Sequence, residues 1–381
     1  MTPDYLFLTG ATGHIGNYLL KDLLLRQQPV AVLVRDKRGR AGAERVAKLI
    51  DDWNLRLGLD LPAPVCLTGD TSQEDFGLSQ TDRQWVKDHC RTLVHNAASV
   101  AFKSRNEGEI MSNNLTSAKR ALEVCRDTNL EHLVFVSTAY VSGDRDQTIY
   151  EDELICGQSF RNEYEHSKYE AERTIRESSI PDQTTVIRPG IVVGHSASGH
   201  TNVYHTFYRF AQFTWALART AKKDNDGRWQ LNVRLAMSGN ERRHVIPVDW
   251  VTQAMVAILE NQECWGKTFH LTPSNPTTSR NIQLALQQYF AFDGVQFSGQ
   301  DLLDSNNLVG EEILFYEFLK DYREYFSEEP VYDRANTDAV GFSFDEPEVD
   351  QDCMVRLIDY AVRSQFGRRR RGTVGAGSNG G

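Results

Sequence analysis

The chain opens with an apolar strand-like segment, a glycine-rich turn and an amphipathic helix. Tyr5–Thr9 has the pattern of a strand, and Ile15–Arg26 has that of a helix with one apolar face. Between them, Gly10, Gly13 and Gly16 are spaced as GxxGxxG. Such glycines let the backbone approach a pyrophosphate or the strand beneath, and the free N–H groups of the following helix favour phosphate oxygens. This opening predicts an α/β fold with a dinucleotide site at its first turn.

Strand-like and helix-like segments continue to alternate as far as about residue 194. Further strands are predicted at Val30–Val34, Val65–Leu67, Thr92–His95, Leu133–Ser137 and Thr185–Ile187, and a helix at Ala43–Leu57. Alternation of this kind is typical of right-handed βαβ units. We therefore predict an α/β fold with a Rossmann-type doubly wound parallel sheet, and we assign residues 1–200 to a dinucleotide-binding domain that also carries the catalytic residues.

The pattern changes after about residue 200. Val203–Ala218 is rich in aromatic residues at helical spacing, Val251–Leu259 and Glu311–Phe326 also look helical, and Thr268–Leu271 looks like a strand. We predict a smaller, mostly helical substrate-binding lobe over residues 201–366, interleaved with the sheet domain and lying over the carboxyl edge of the sheet. Residues 367–381, a run of arginines followed by Gly, Ser and Asn, are predicted to form a disordered basic tail.

Charge and cysteine usage exclude several classes of protein. The net charge of -10 disfavours nucleic acid as the main partner, because a nucleic-acid-binding protein needs a basic face. The six cysteines form no CxxC pair, so we expect neither a metal site nor a dithiol redox motif, and scattered thiols fit a reducing cytoplasm. The sequence shows no secretory signal and no apolar run of about 18 residues, so we expect a cytoplasmic protein without a transmembrane segment.

Basic residues follow the second predicted strand, where the adenosine ribose of a dinucleotide normally lies. Arg35 favours a 2′-phosphate, and Lys37, Arg38 and Arg40 stand close behind it. Asp36 is the competing signal, because an acidic side chain there can bind a free 2′-hydroxyl. We predict NADPH rather than NADH as the cofactor.

The predicted cofactor contacts follow the ends of successive strands. Asp70 could accept a hydrogen bond from the adenine amine or cap local amides, and Asn96 could hold the backbone turn or the ribose. Pro189 fixes the chain so that the amides after it could meet the nicotinamide carboxamide. The full set is Thr9, Gly10, Thr12, Gly13, His14, Ile15, Gly16, Arg35, Asp70, Asn96, Ala97, Ala98, Tyr164, Lys168, Pro189, Gly190, Ile191 and Val192.

Tyr164 and Lys168 are four residues apart, which places them on one face of a helix. A free tyrosine, with a pKa of about 10, is a poor acid–base catalyst at neutral pH. A nearby ammonium favours its phenolate, and the same lysine can bond the nicotinamide ribose. Ser137 and Thr138 end the fifth strand, and either hydroxyl could bond a substrate carbonyl beside Tyr164.

These motifs together resemble the extended short-chain dehydrogenase/reductases. TGATGxxG, NAA, STAYV, YxxxK and RPGxxxG occur in this order over roughly residues 5–195. Longer stretches, LVHNAASVAF, YEHSKYEAE and IPVDWV, are similar to the thioester reductase-like branch with male sterility-type NAD-binding domains. That branch includes fatty acyl reductases and the reductase domains that end peptide synthetases and carboxylic acid reductases. In this resemblance, Thr138 matches the catalytic hydroxyl.

The resemblance implies an NADPH-dependent reductase of an acyl thioester to an aldehyde, with onward reduction to an alcohol left open. Thr138 and Tyr164 would stabilise and protonate the carbonyl oxygen, while Lys168 would lower the tyrosine pKa and hold the ribose. No adenylation or carrier segment is recognisable, so the thioester would arrive on coenzyme A or on a separate acyl carrier protein. The aromatic segment 203–218 would then wall an acyl channel or simply pack the core.

Three alternatives share some of these features. Sugar-nucleotide epimerases or dehydratases and hydroxysteroid-type dehydrogenases have the same fold and triad, although Arg35 opposes the tightly held NAD of an epimerase. A cofactor-sensing regulatory protein would keep the fold but catalyse no reaction. The presence of the tyrosine–lysine pair disfavours this alternative, because such proteins often lack it. Pairing of helices 112–125 and 164–177 across a two-fold axis leaves a homodimer open.

Overall fold

The computed structural model describes residues 4–37, 39–101, 106, 108–181, 183–299, 307–308 and 310–367. Arg38, Phe102 of the LVHNAASVAF stretch and the predicted basic tail from Arg368 onward lie outside these residues.

The described residues form strands and helices in the following order. The strands are β1 Tyr5–Thr9, β2 Val30–Val34, β3 Val65–Thr68, β4 Cys90–His95, β5 His132–Val136, β6 Gln183–Pro189, β7 Ile191–Val193, β8 Trp229–Leu235, β9 Arg242–Arg243, β10 Val245–Pro247, β11 Thr268–Leu271, β12 Thr277–Thr278 and β13 Phe292–Phe297. The helices are α1 His14–Leu25, α2 Gly42–Leu57, α3 Gln80–His89, α4 Glu109–Thr128, α5 Glu163–Glu177, α6 Phe207–Ala218, α7 Val248–Glu260, α8 Ser279–Phe290, α9 Glu311–Phe318, α10 Ala335–Ala339 and α11 Gln351–Arg363.

A seven-stranded parallel sheet forms the centre of the molecule. Its strand order is β11-β6-β5-β4-β1-β2-β3. β2 and β3 are added on one side of β1, and β4, β5 and β6 are added on its other side. The strand order therefore reverses between β1 and β4, and ligands bind in the crevice at such a reversal. This confirms the predicted doubly wound parallel sheet.

Helices cover both faces of the sheet because its strands are apolar on both sides. Leu6 and Leu8 of β1 pack into the layer of α1, α2 and α7, whereas Phe7 between them packs into the layer of α3, α4 and α5. Alternate residues of a strand point to opposite faces, so a strand buried on both faces reads as a continuous apolar run. Val30–Val34 is such a run, and all five of its residues are buried.

Much of the second half of the chain, apart from α7 and β11, builds a lobe around a separate apolar core. It contains three two-stranded sheets, β10-β7, β12-β9 and β13-β8, which the prediction of a mostly helical lobe did not include. The helix predicted over Glu311–Phe326 divides into α9 and a 3-10 helix at Lys320–Phe326, because Leu319, with φ -103° and ψ 14°, leaves the helical range. Among the described helices, none has both the length and the apolar surface needed to cross a membrane.

Candidate active site

The turn between β1 and α1 presses against the chain that leaves β4. Gly10 has φ +73°, and a Cβ there would lie 2.8 Å from the Ala97 nitrogen. A Cβ on Gly16 would lie 2.2 Å from the Gly10 carbonyl oxygen. The Gly13 amide donates to the same oxygen at 2.9 Å. Any side chain at Gly10 or Gly16 would therefore push the turn away from the sheet.

The beginning of α1 has the features of a phosphate site. Gly13 is its N-cap, and in the described structure no side chain caps this end and no acidic residue lies in the first turn. Thr12 and Gly13 line a cleft of about 550 Å³ at the carboxyl edge of the sheet. Uncapped amides and the positive end of the helix dipole favour an anion here, so this turn fits the pyrophosphate of a dinucleotide.

The side chains that follow the turn point away from this cleft. His14 is buried, its ring bonding Asn202 Oδ1 at 2.8 Å and the Val193 carbonyl at 3.0 Å, and burial lowers its pKa. Ile15 packs against the core beneath α1. Of the predicted cofactor contacts, His14, Ile15 and Gly16 can therefore offer only backbone groups.

Three basic side chains line the far end of the cleft: Arg35, Lys37 and Arg45. Arg45, which the sequence analysis missed, reaches from α2 to donate to the Arg35 carbonyl at 2.9 Å and to Thr12 Oγ1 at 3.2 Å. Arg45 lies in the first turn of α2, which directly follows the basic run. This position in the sequence could have indicated that Arg45 faces the same part of the cleft.

Asp36 and Asp70, the acidic residues at this end, are both already engaged. Asp36 Oδ1 accepts from the Gly42 amide at 2.8 Å, so it caps α2. Asp70 Oδ1 accepts from the Ser72 amide and hydroxyl, and Oδ2 accepts from Arg35 at 3.4 Å. Burial acts to raise the pKa of Asp70, but these hydrogen bonds and the Arg35 charge lower it overall. Of the two roles considered for Asp70, its contacts therefore match the capping of local amides.

The residues at the ends of β1 and β4 hold the glycine turn in place. Thr9 is fully buried, and its hydroxyl bonds His95 Nδ1 at 3.1 Å and accepts from the Ala97 amide at 3.2 Å. Asn96 Nδ2 donates to the Gly10 carbonyl at 3.3 Å, which is the first of the two roles considered for it. Ala97 and Ala98 line the cleft directly. Thr9 therefore acts on a cofactor only through the turn that it supports.

Thr138, Tyr164 and Lys168 meet where the end of β5 joins α5. The Tyr164 side chain is hydrogen-bonded to that of Thr138, and Lys168 Nζ donates to the Val136 carbonyl at 2.7 Å. Burial raises the pKa of Tyr164 to about 12, although the Thr138 bond acts to lower it. Burial lowers the pKa of Lys168 to about 8, against the raising effect of Glu172. Both groups can thus be protonated at neutral pH.

Ser137, the other candidate hydroxyl, belongs to a buried ionic network. It donates to Glu172 Oε2 at 2.6 Å. Glu172 also pairs with Arg188 at 2.7 Å and with Arg176 at 2.9 Å. Glu172 and Arg188 are fully buried. Three successive residues of the strand end, 136 to 138, therefore bond α5, and only the third faces Tyr164.

Asn114 is a second residue that the sequence analysis missed. From α4 its side chain accepts from the Ser99 amide at 2.7 Å, donates to the Ser99 carbonyl at 3.1 Å, and donates to Ser167 Oγ at 2.8 Å. It therefore ties the loop after β4 to α5 beside Tyr164, and it also lines the cleft.

The amides after Pro189 are only partly available to a ligand. The Gly190 amide donates to the Leu271 carbonyl at 3.1 Å, and the Ile191 amide donates to the His244 carbonyl at 2.8 Å. The expected contact with a nicotinamide carboxamide therefore does not suit these two amides, because protein carbonyls already hold them. For Val192 it stays a prediction.

An apolar cavity of about 90 Å³ lies in the lobe. Phe210 and Phe213 of α6 line it, so this helix both packs the core and walls the cavity. Tyr325 also lines it and reaches the first turn of α5, where its hydroxyl donates to Glu165 Oε1 at 2.6 Å and accepts from Asn162 Nδ2 at 2.6 Å. Tyr325 thereby joins the cavity to the turn that carries Tyr164.

Comparisons with known proteins agree on one family. Residues 8–255 match a family model described as male sterility protein. The nonribosomal peptide synthetase asaC of Aspergillus flavus is 25% identical over 289 residues, which cover 73% of this chain and 27% of the synthetase. Fatty acyl-CoA reductase 1 of Mus musculus is 27% identical over 228 residues, which cover 50% of this chain and 44% of the reductase. The chain thus spans about a quarter of the synthetase and less than half of the reductase.

A solved structure with the same fold is the terminal R domain from the myxalamid PKS-NRPS biosynthetic pathway. It superimposes with a TM-score of 0.75 at 25% identity, covering 96% of this chain and 92% of that domain.

Proposed function

Because the chain belongs to the male sterility family, NAD(P)-dependent oxidoreductases of the extended short-chain dehydrogenase/reductase type, we propose that it reduces an acyl thioester to an aldehyde with NADPH. The observation that carries this proposal is the Thr138–Tyr164 hydrogen bond, with Lys168 one helical turn away, at the sheet edge that holds the dinucleotide cleft. The names of the similar proteins, a fatty acyl-CoA reductase and a peptide synthetase, support a thioester as the substrate.

The cleft residues divide the binding of the cofactor among them. In the cleft, the turn from Gly10 to Gly13 would hold the pyrophosphate, and Arg35 and Arg45 a 2′-phosphate. Lys168, on α5 at the same edge of the sheet, would hold the ribose nearest the reacting carbon. Lys168 uses one N–H on the Val136 carbonyl and keeps two further donors. When bound, the reduced nicotinamide supplies the hydride that adds to the thioester carbonyl carbon.

Thr138 and Tyr164 act on the carbonyl oxygen. Their hydroxyls polarise the carbonyl, and Tyr164 donates its proton as the oxygen gains negative charge. The product of this step is a hemithioacetal. Its carbon–sulfur bond then breaks as the hydroxyl proton is lost, the sulfur leaves as a thiol, and an aldehyde remains. The overall reaction consumes one hydride and one proton and releases one thiol.

The direct test is to incubate the purified protein with NADPH and a long-chain acyl-coenzyme A, and then with the same acyl group on an acyl carrier protein. We expect oxidation of NADPH together with an aldehyde or alcohol identified by mass. The ratio of NADPH consumed to thiol released gives the number of hydrides used. Binding of NADPH without turnover of either thioester would contradict the proposal.

The preference for NADPH is expected to depend on Arg45. We predict that Arg45→Ala raises the KM for NADPH by about tenfold to a hundredfold and changes that for NADH less than about twofold, because one charge-assisted phosphate contact is worth roughly 1.5–3 kcal/mol. Steady-state kinetics with both cofactors measure this. Lys48→Ala is the matched control, since Lys48 lies on the same helix but lines a neighbouring groove. Equal losses with both cofactors would mean that Arg45 only supports the turn.

The pH dependence of reduction should follow the loss of the Lys168 proton. Because burial places its pKa at about 8, the ammonium is present below that pH and is lost above it. We therefore expect kcat/KM to be level near neutrality and to fall as pH rises through about 8. NADPH affinity and thermal midpoint, followed over the same range, separate this fall from loss of the cofactor or of the fold. A profile that stays level a full unit higher would contradict the role given to Lys168.

A further inference from the structure

Two side chains cap the first turn of α5, the turn that carries Tyr164. Asn162 is the N-cap of the helix, and its Oδ1 accepts from the Glu165 amide at 3.0 Å. The Glu165 carboxylate reaches back, and its Oε2 accepts from the Arg161 amide at 3.0 Å. Paired bonds of this kind, between a cap residue and the third residue of a helix, fix the path of the chain as it enters the helix. The backbone on both sides of Tyr164 is therefore bound by these two side chains.

The lobe closes a ring of hydrogen bonds around this cap. Tyr325, in the 3-10 helix at Lys320–Phe326, accepts from Asn162 Nδ2 at 2.6 Å and donates to Glu165 Oε1 at 2.6 Å. One hydroxyl thus holds both capping side chains at once. Glu165 is fully buried, and a buried carboxylate is strongly destabilised when it loses a donor. The orientation of both capping side chains therefore depends on the Tyr325 hydroxyl.

The ring of Tyr325 has contacts of its own, separate from those of its hydroxyl. It packs edge-on against Tyr140 with the ring centroids 5.7 Å apart, and the Arg161 guanidinium lies 5.7 Å from its centroid. Tyr140 follows Thr138 by two residues, and its amide donates to Thr138 Oγ1 at 3.3 Å. Tyr325 therefore contacts both the segment that follows Thr138 and the turn that carries Tyr164.

We propose that Tyr325 is a positioning residue for Tyr164, so that the lobe takes part in setting the geometry of proton donation. This inference rests on the proposed thioester reduction. A general acid has to lie within hydrogen-bond distance of the oxygen that it protonates, and a displacement of about 1 Å can lower the rate about a hundredfold. Because the cap bonds lie on both sides of Tyr164, loss of the Tyr325 hydroxyl would let this turn shift.

The rest of α5 has other anchors, so a change at Tyr325 should leave the fold intact. Glu163 Oε1 accepts from the Ile110 and Met111 amides at 3.0 Å each, which ties the same turn to the start of α4. Lys168 is bound to the end of β5 through the Val136 carbonyl. Replacing Tyr325 by phenylalanine therefore removes one hydroxyl from the cap and keeps the packing of the ring.

Hydrogen exchange tests the hold on the turn without any turnover. In Tyr325→Phe, we expect the amides of Arg161 and Glu165 to exchange with deuterium about tenfold faster or more, because the side chains that accept from them lose a fixed position. Mass spectrometry of peptides that cover residues 160–166 measures this. Unchanged exchange in the variant would overturn the inference.

Tyr316→Phe is the matched control. The Tyr316 hydroxyl also accepts one hydrogen bond, from the Ala236 amide at 3.0 Å, and donates one, to the Arg234 carbonyl at 2.8 Å, and both bonds lie within the lobe. We expect this variant to exchange like the wild type over residues 160–166. An equal rise of exchange in both variants would mean that any loosening of the lobe has the same effect, which overturns the inference.

The kinetic consequence is a loss of rate without a loss of binding. We expect Tyr325→Phe to lower the single-turnover rate of NADPH oxidation by a thioester about tenfold or more, with the Kd for NADPH within about twofold of the wild type. Tyr316→Phe should keep the wild-type rate. A wild-type rate in Tyr325→Phe, or an equal fall in both variants, overturns the inference. If the wild-type protein reduces no thioester, the proposed reduction itself fails, and the exchange comparison still decides whether Tyr325 holds the turn.

Discussion

Replacing Tyr164 by phenylalanine should lower kcat for thioester reduction by about a thousandfold, because a positioned general acid contributes roughly 10²–10⁴-fold. The substitution keeps the ring and removes the hydroxyl that Thr138 bonds. Lys168 stays bound to the Val136 carbonyl, so cofactor affinity should change little. Single-turnover measurements of NADPH oxidation, with the Kd for NADPH measured separately, test both parts.

Tyr169→Phe is the matched control for this change. Tyr169 lies on the same helix, but it packs in an apolar cluster with Val141 and Leu154, away from the cleft. We expect it to retain most of the wild-type rate. A Tyr164→Phe protein that kept more than about a tenth of the rate would assign proton donation to another group.

Replacing Glu172 by glutamine should cost about 3–5 kcal/mol of unfolding free energy, because it leaves a buried guanidinium without its counter-charge. Arg188 is fully buried and donates to Glu172 through two of its nitrogens. Arg176 loses the same counter-charge. Urea denaturation followed by circular dichroism measures the loss.

The same carboxylate should make stability depend on pH in the acid range. Burial acts to raise the pKa of Glu172, but Arg188, Arg176 and Ser137 lower it overall. Its contribution is therefore complete above the unfolded pKa, about 4.3, and disappears as pH falls through the lower folded value. Glu177→Gln, at an exposed residue of the same helix, should shift the unfolding free energy by less than about 0.5 kcal/mol. Equal effects of the two variants would contradict a special role for the buried network.

The parts of the fold that local pattern determines could be predicted from the sequence. β1, β2 and β11 begin and end where the apolar runs do. The glycine turn and the four-residue spacing of Tyr164 and Lys168 are local as well, since one turn of chain fixes their geometry. That Thr138 lies close to Tyr164 could be predicted from the order of strands and helices, because functional residues gather at the carboxyl ends of parallel strands.

The residues that were missed depend on contacts that are distant along the chain. Asn114 meets Ser167 across 53 residues, and Tyr325 meets Glu165 across 160. The lobe strands β9 and β12 have two residues each, too few for an alternating pattern to be read.

The position of β11 decides where this molecule can be divided. The strand comes after α6, β8 and α7 in the chain, yet it pairs with β6 as the outer strand of the central sheet. A fragment that ended at residue 200 would lose β11, expose the hydrogen-bonding edge of β6, and uncover α1 where α7 packs on it. Exposed strand edges invite association between chains. A stable dinucleotide-binding fragment would therefore have to extend at least through Leu271, taking part of the lobe with it.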